Sequence, residues 1–141
     1  MPSACPRFRW KRCIAMSDER PVRLARWVFL LAGIIGLIEV TPLFFLEGLI
    51  GIKQPPPITH PEFYYGFVVV VLVWQIAFLI ISRDPVRYVP LMPALFLEKL
   101  LYPIVVFTLY SQGRVSAQSF PGPIIDLVWL GLFIVVWTKL K

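Results

Sequence analysis

Charge is scarce in this chain. Of its 141 residues 16% are charged and 58% hydrophobic, whereas a soluble domain usually carries about 25% charged residues. Such a chain cannot cover itself in polar surface, which excludes an ordinary soluble globular protein. Histidine is scarcer still: His60 is the only one, so a single chain builds neither bis-histidine haem ligation nor a histidine-based metal site. The two cysteines, Cys5 and Cys13, both lie in a basic N-terminal leader, assigned here to a reducing compartment where disulfides rarely persist. They imply no disulfide framework, and a membrane thiol oxidoreductase would need a close cysteine pair at the membrane surface. No glycine-rich phosphate loop, nucleophile elbow or metal-ligand spacing is present, and no internal repeat. We expect no cofactor and no metal, and an enzyme is not the favoured class.

What the chain has is apolar length. Four runs follow one another: Trp27 to about Ile52, Phe63 to Ser82, Tyr88 to Tyr110 and Phe120 to Thr138. Each supplies the roughly 20 residues that cross about 30 Å of hydrocarbon as a helix, and barrel strands would be about 10 residues of alternating polarity. The expected fold is an all-α membrane protein, a four-transmembrane-helix bundle with helices over about 24–50, 62–82, 85–110 and 120–138. Residues 1–22 read as a basic, disordered leader and 23–141 as the transmembrane domain. The first run is too long for a signal core and has no small-x-small site between Gly36 and Gly51, so it reads as an uncleaved anchor. Met16 is an alternative start, since Met1 to Ala15 adds arginines, both cysteines and prolines without an apolar period.

The connections carry capping signals. Thr59-His60-Pro61-Glu62 has the spacing of a capping box, which starts the second helix. Asp84-Pro85 supplies an N-cap carboxylate and a proline at the first helical position, opening the third after a tight turn. That turn predicts that helices two and three are antiparallel neighbours. Pro55 to Pro57 stiffens the first loop, and Ser111 to Ser119 is polar and mobile in expectation.

Orientation follows from Lys and Arg in short loops. Arg7, Arg9, Lys11, Arg12, Arg20, Arg23 and Arg26 precede the first span, Arg83 and Arg87 occupy the second loop, and Lys139 and Lys141 end the chain. Lys53 and Arg114 are the only basic residues of the other two loops. Both termini are therefore expected in the cytoplasm of a multi-pass cell-membrane protein, with a bacterial inner membrane favoured. The basic leader reads as a topology signal and a headgroup contact, so the lipid bilayer and not nucleic acid is the expected partner. Trp10, Trp27, Tyr64, Tyr65, Tyr88, Tyr110, Trp129 and Trp137 fall near span boundaries, as an aromatic belt would.

Polar residues inside the spans are the candidate site, because a charge at membrane depth costs about 2.5–3.5 kcal/mol even on insertion scales. Glu39 lies about 20 Å from the cytoplasmic end, Lys99 about 18 Å deep, and Asp126 about 9 Å below the outer boundary at 1.5 Å per residue. A cluster of Glu39, Lys99 and Asp126 is thus possible. Glu98 and Lys99 point about 100° apart, Glu98 shares a face with Tyr102, and Gln75 is a further candidate. Gly33 and Gly36 recur with Glu39 every three residues, a stripe that lets a neighbouring helix approach. Pro103 and Pro42 leave the carbonyls of Lys99 and Ile38 without helical donors. The plain reading is that these groups pair to hold the bundle together; the sharper one is a proton or substrate pathway.

In order, a glycine-bearing first helix with an intramembrane glutamate, Glu62-Phe-Tyr-Tyr-Gly66, the Asp84-Pro85-Val-Arg87-Tyr turn, Glu98-Lys99 and Ile125-Asp126-Leu resemble the small four-helix proteins grouped as DoxX-like, over about residues 23–139. That resemblance implies an accessory or interaction subunit, with a partner membrane protein or a homo-oligomer. Glu39-Val40-Thr41 is similar to the glutamate segment of small multidrug transporters, which implies the alternative of a proton-coupled small-molecule transporter. A sterol-isomerase-like bundle is the third likeness and implies a lipid-modifying enzyme with Glu39, Glu98 or Asp126 as acid.

Overall fold

The computed structural model describes residues 19–53 and 57–141. Cys5, Cys13, Trp10, the alternative start at Met16, most of the leader, and Pro55 and Pro56 lie outside them. Every described element is helical: α1 (Glu19–Val40), a 3-10 turn (Thr41–Phe45), α2 (Glu47–Lys53), α3 (Pro61–Arg83), a 3-10 turn (Val89–Leu91), α4 (Met92–Ser111), a 3-10 turn (Ala117–Ser119) and α5 (Pro121–Leu140). Four segments are long and apolar enough to cross a membrane: Glu19–Phe45, Pro61–Arg83, Val89–Ser111 and Ala117–Leu140. The fold class read from the sequence thus stands as an all-helical chain with four candidate spans.

Prolines move two expected boundaries. The first helix does not run to residue 50; it gives way to the 3-10 turn at Thr41, because Pro42 cannot donate to the Ile38 carbonyl and its ring crowds it. The third does not open at Pro85. Residues 85–88 form turns and α4 starts at Met92, since a helix begun at Pro85 would set the Pro90 ring against the Val86 carbonyl. The Asp84 carboxylate still accepts from the Arg87 N–H at 3.4 Å, as a turn rather than a helix cap. At α3 the capping residue is His60 and no side chain caps it. The expected capping box does not form, and Glu62 pairs with the His60 ring at 3.3 Å. By contrast α4 ends where the polar loop was expected. Gly113 takes φ 69°, and Arg114 N–H donates to the Leu109 carbonyl at 2.9 Å, a Schellman closure that favours glycine.

The helices pack as two pairs. α3 lies along α1, α4 along α5, and a narrower contact of α1 with α5 joins the pairs. α3 and α4, expected as antiparallel neighbours, meet through side chains, Phe67 with Tyr102 at 6.4 Å and Lys99 with the Phe78 ring at 5.4 Å, while the glycines of α1 bring α3 closer on its other side. A Cβ at Gly33 would stand 2.9 Å from the Gln75 carbonyl and 2.7 Å from Leu79, so only glycine admits this approach. The pairs converge around Ala25, Val28, Phe29, Ala32, Phe78, Ile81, Met92, Leu95, Phe133 and Val136. These residues sit near the start of α1, the end of α3, the start of α4 and the end of α5, so the core closes one end of the bundle. There Phe29 stacks at 4.8 Å on Phe133, which meets Phe78 at 5.3 Å. Toward the other end the pairs part.

Candidate functional site

Between the parted pairs lies a cavity of about 500 Å³. Its floor is Ala32 and Phe78, the upper edge of the aromatic core, and the 3-10 residue Leu43 lies toward its outer end. α1 contributes Gly36 and Glu39, α3 Trp74 and Gln75, α4 Glu98, Lys99 and Tyr102, and α5 Gly122, Asp126 and Trp129. All six sequence-predicted polar residues therefore border one space.

The charged centre is an ammonium between two carboxylates. Lys99 Nζ donates to Asp126 Oδ1 at 2.9 Å and to Glu98 Oε1 at 3.2 Å, and sits 5.4 Å from the centre of the Phe78 ring, within cation–π range. Its side chain is 7% exposed, so burial is offset by three partners. Lys99 and Asp126 meet across α4 and α5, as the depth estimate allowed. The second carboxylate, however, is Glu98 rather than Glu39. Although the two Cα–Cβ bonds diverge, the four-carbon lysine stem bends its ammonium back to the adjacent Glu98.

Glu39 borders the cavity and makes no ion pair or side-chain hydrogen bond among the described residues. Gln75 is buried, at 3% exposure. Its Nε2 donates to the Val71 carbonyl at 3.1 Å, and its Oε1 lies against Gly36. Glu98 Oε2 is buried without a hydrogen-bond partner. Tyr102 packs near Gly122, where an added Cβ would stand 3.4 Å from its ring. Among the described residues no cluster of His, Cys, Asp and Glu has the form of a metal site.

Trp74, Phe67, Trp129 and Gly122 escaped the sequence reading. Gly122 had a visible signal, since it precedes Asp126 by four and shares its face, the same small-residue-plus-acid pattern that Gly36 and Glu39 present. The tryptophans had none: Trp129 was assigned to the interface belt, yet it packs on the core with Phe133 at 6.2 Å.

Comparison of the chain with protein-family models, with curated proteins and with solved structures gives no match.

Proposed function

We propose that this chain is a multi-pass membrane protein that binds a small molecule in the charged cavity and couples its movement to protons. The observation that carries the reading is the Glu98–Lys99–Asp126 triad on the cavity wall, with Glu39 opening onto the same space. Three carboxylates border the cavity with one ammonium there, and intramembrane ionisable groups that face a cavity mark ion and proton pathways. Lys99 neutralises one carboxylate, and a proton or a cationic solute would complete the balance. The test is proton flux in proteoliposomes loaded with a pH-sensitive dye, under an imposed gradient and with a panel of candidate solutes. Solute-dependent flux that Glu98→Gln and Glu39→Gln each abolish in folded protein supports it; absence of flux with every solute overturns it.

The accessory-subunit reading, with its DoxX-like resemblance, is the second proposal. It is favoured by the exposed apolar side chains along α3 and α4, Val70 at 58% and Leu101 at 54% exposure, against which a partner helix would pack. Stable co-purification of one membrane protein in mild detergent, lost when Val70→Trp alters that face, is the outcome it requires. In either case we propose cytoplasmic termini in a bacterial inner membrane, from the loop charges alone. A reporter fused at Gln112 that is active only in the cytoplasm would reverse that orientation.

A further inference from the structure

The charged lining of the cavity is acidic on balance: Glu39, Glu98 and Asp126 stand beside the ammonium of Lys99. Lys99 is occupied by Asp126 and Glu98. Glu98 Oε2 is buried and unpartnered. Gln75 Oε1 accepts no hydrogen bond among the described residues, although its residue is 97% buried by exposure of 3%. The Glu39 carboxylate, on the facing helix pair, is also without a side-chain partner among them. The other lining is largely apolar and aromatic, with Phe67, Trp74, Phe78 and Trp129 prominent. Access is lateral. Lining residues Phe67 and Val70 of α3 and Leu101 of α4 are 49%, 58% and 54% exposed, and α3 meets α4 beside them through side chains, the Phe67 and Tyr102 rings lying 6.4 Å apart.

We infer that the cavity binds a single-chain amphiphilic amine as its ammonium, taken up sideways from the membrane. An ammonium is a donor without acceptors. It therefore supplies the positive charge that Glu39, Glu98 and Asp126 leave unbalanced beside Lys99, and donates to the acceptors of the cavity wall. The apolar tail lies among the rings and leaves between α3 and α4 past the exposed side chains of Phe67, Val70 and Leu101. A volume of about 500 Å³ falls within the usual range of roughly 300–1,000 Å³ for small-molecule pockets. A quaternary ammonium carries the charge but no N–H, so it leaves the same acceptors unmet. A fatty acid brings a further carboxylate and is excluded by repulsion. An aminophospholipid fits poorly, because its phosphate would meet the unbalanced acids.

This inference deepens the carrier reading by naming the solute class, and its test needs no gradient. The full chain in nanodiscs of zwitterionic phosphatidylcholine is dialysed to equilibrium against radiolabelled octylamine, with empty nanodiscs subtracted. Saturable binding is expected, with octyltrimethylammonium competing about tenfold less well and octanol and octanoate not competing, since one charged hydrogen bond is worth about a factor of ten or more. Glu98→Gln should weaken octylamine about tenfold by the same reasoning. Gln75→Leu, which leaves the ion triad whole, should weaken it several-fold and serves if Glu98→Gln fails to fold. Competition by octanol or octyltrimethylammonium equal to that of octylamine overturns the inference, as does unchanged affinity in both variants. Saturable amine binding without proton flux overturns only the carrier; flux with another solute class and no amine binding overturns only the amine.

Discussion

At the closed end of the bundle the four helices meet through Phe29, Phe78 and Phe133, ring against ring, whereas in the cavity half the two pairs separate around Glu39, Glu98, Lys99 and Asp126. Both halves are bathed by the same apolar solvent, so the hydrophobic effect distinguishes neither. In lipid, helices associate through close packing and polar contacts. The buried core of the closed end holds through apolar packing and contains no charged residue. The cavity half combines its charges with a few close approaches, Gly36 on Gln75 and Gly122 on Tyr102. The comparison teaches that space and charge were placed together, away from the part of the bundle that holds the fold.

The sharpest way to break this contrast is to remove the one cation. Lys99→Met leaves Glu98 and Asp126 facing each other without a counter-ion, and losing one member of a buried pair costs about 3–5 kcal/mol. We expect a large drop in the thermal midpoint in mild detergent. Adding Glu98→Gln and Asp126→Asn removes the stranded charges and should restore most of the loss. A Lys99→Met protein as stable as the parent would show that the triad contributes nothing to the fold.

Phe133→Ala tests the other half. It removes a ring in contact with Phe29 and Phe78, and a buried Phe→Ala change costs about 3–5 kcal/mol in water-soluble cores. The value here should fall at or below the low end of that range, because lipid solvates the exposed ring as well as the interior does. Its diagnostic is what it leaves alone: in folded protein, octylamine affinity and its dependence on Glu98 should be unchanged. Coupled loss of both would mean that the two halves are one unit.

These halves differ also in how far the sequence discloses them. The rise per residue placed Lys99 and Asp126 at one depth, and the structure joins them at 2.9 Å. Depth carries no azimuth, so it could not tell that Glu39 would face the cavity unpaired while Glu98, the wrong side of the helix by its Cβ, would capture the lysine through a flexible stem. The glycine stripe did point to close approach on α1, and α3 makes it. Which helix would take that place was hidden, because the short loop 84–91 suggested α3–α4 pairing. The prolines at 42 and 90 were present to be read; their steric effect on the carbonyl four residues earlier was outweighed in that reading by the continuity of the apolar runs.

Glycine substitutions sharpen the comparison at the seam between the halves. Gly33→Ala sets a Cβ 2.9 Å from the Gln75 backbone carbonyl, so α3 itself must move, and a cost of about 2 kcal/mol is expected from overpacking. Gly36→Ala meets only the side chain of Gln75, which can swing away. It should cost about 1 kcal/mol or less and disturb amine binding more than stability. Gly36→Ala combined with Gln75→Ala should regain the stability while leaving the affinity low. Thermal unfolding and equilibrium dialysis on the same preparations separate the two quantities.

The smallest effect is expected at the outer edge of the cavity. The Tyr64 hydroxyl donates to the Leu43 carbonyl at 2.7 Å, tying the 3-10 turn after α1 to the first turn of α3, and Tyr65 donates to Glu47 of α2 at 2.8 Å. Pro42 denies this segment regular helical bonding, so these two hydrogen bonds hold it where helix propagation does not. Tyr64→Phe keeps the ring and removes one bond, worth about 0.5–1.5 kcal/mol at most in a half-buried site, and the thermal midpoint should scarcely move. Local opening should change instead, because segments with few buried contacts open independently of the whole. Amide exchange is expected to quicken across residues 43–50, with the closed end around Phe29 and Phe133 unaffected and octylamine exchanging faster at nearly the same affinity. If exchange quickens equally at both ends, the segment is part of the global unit and the cavity half has no independent edge.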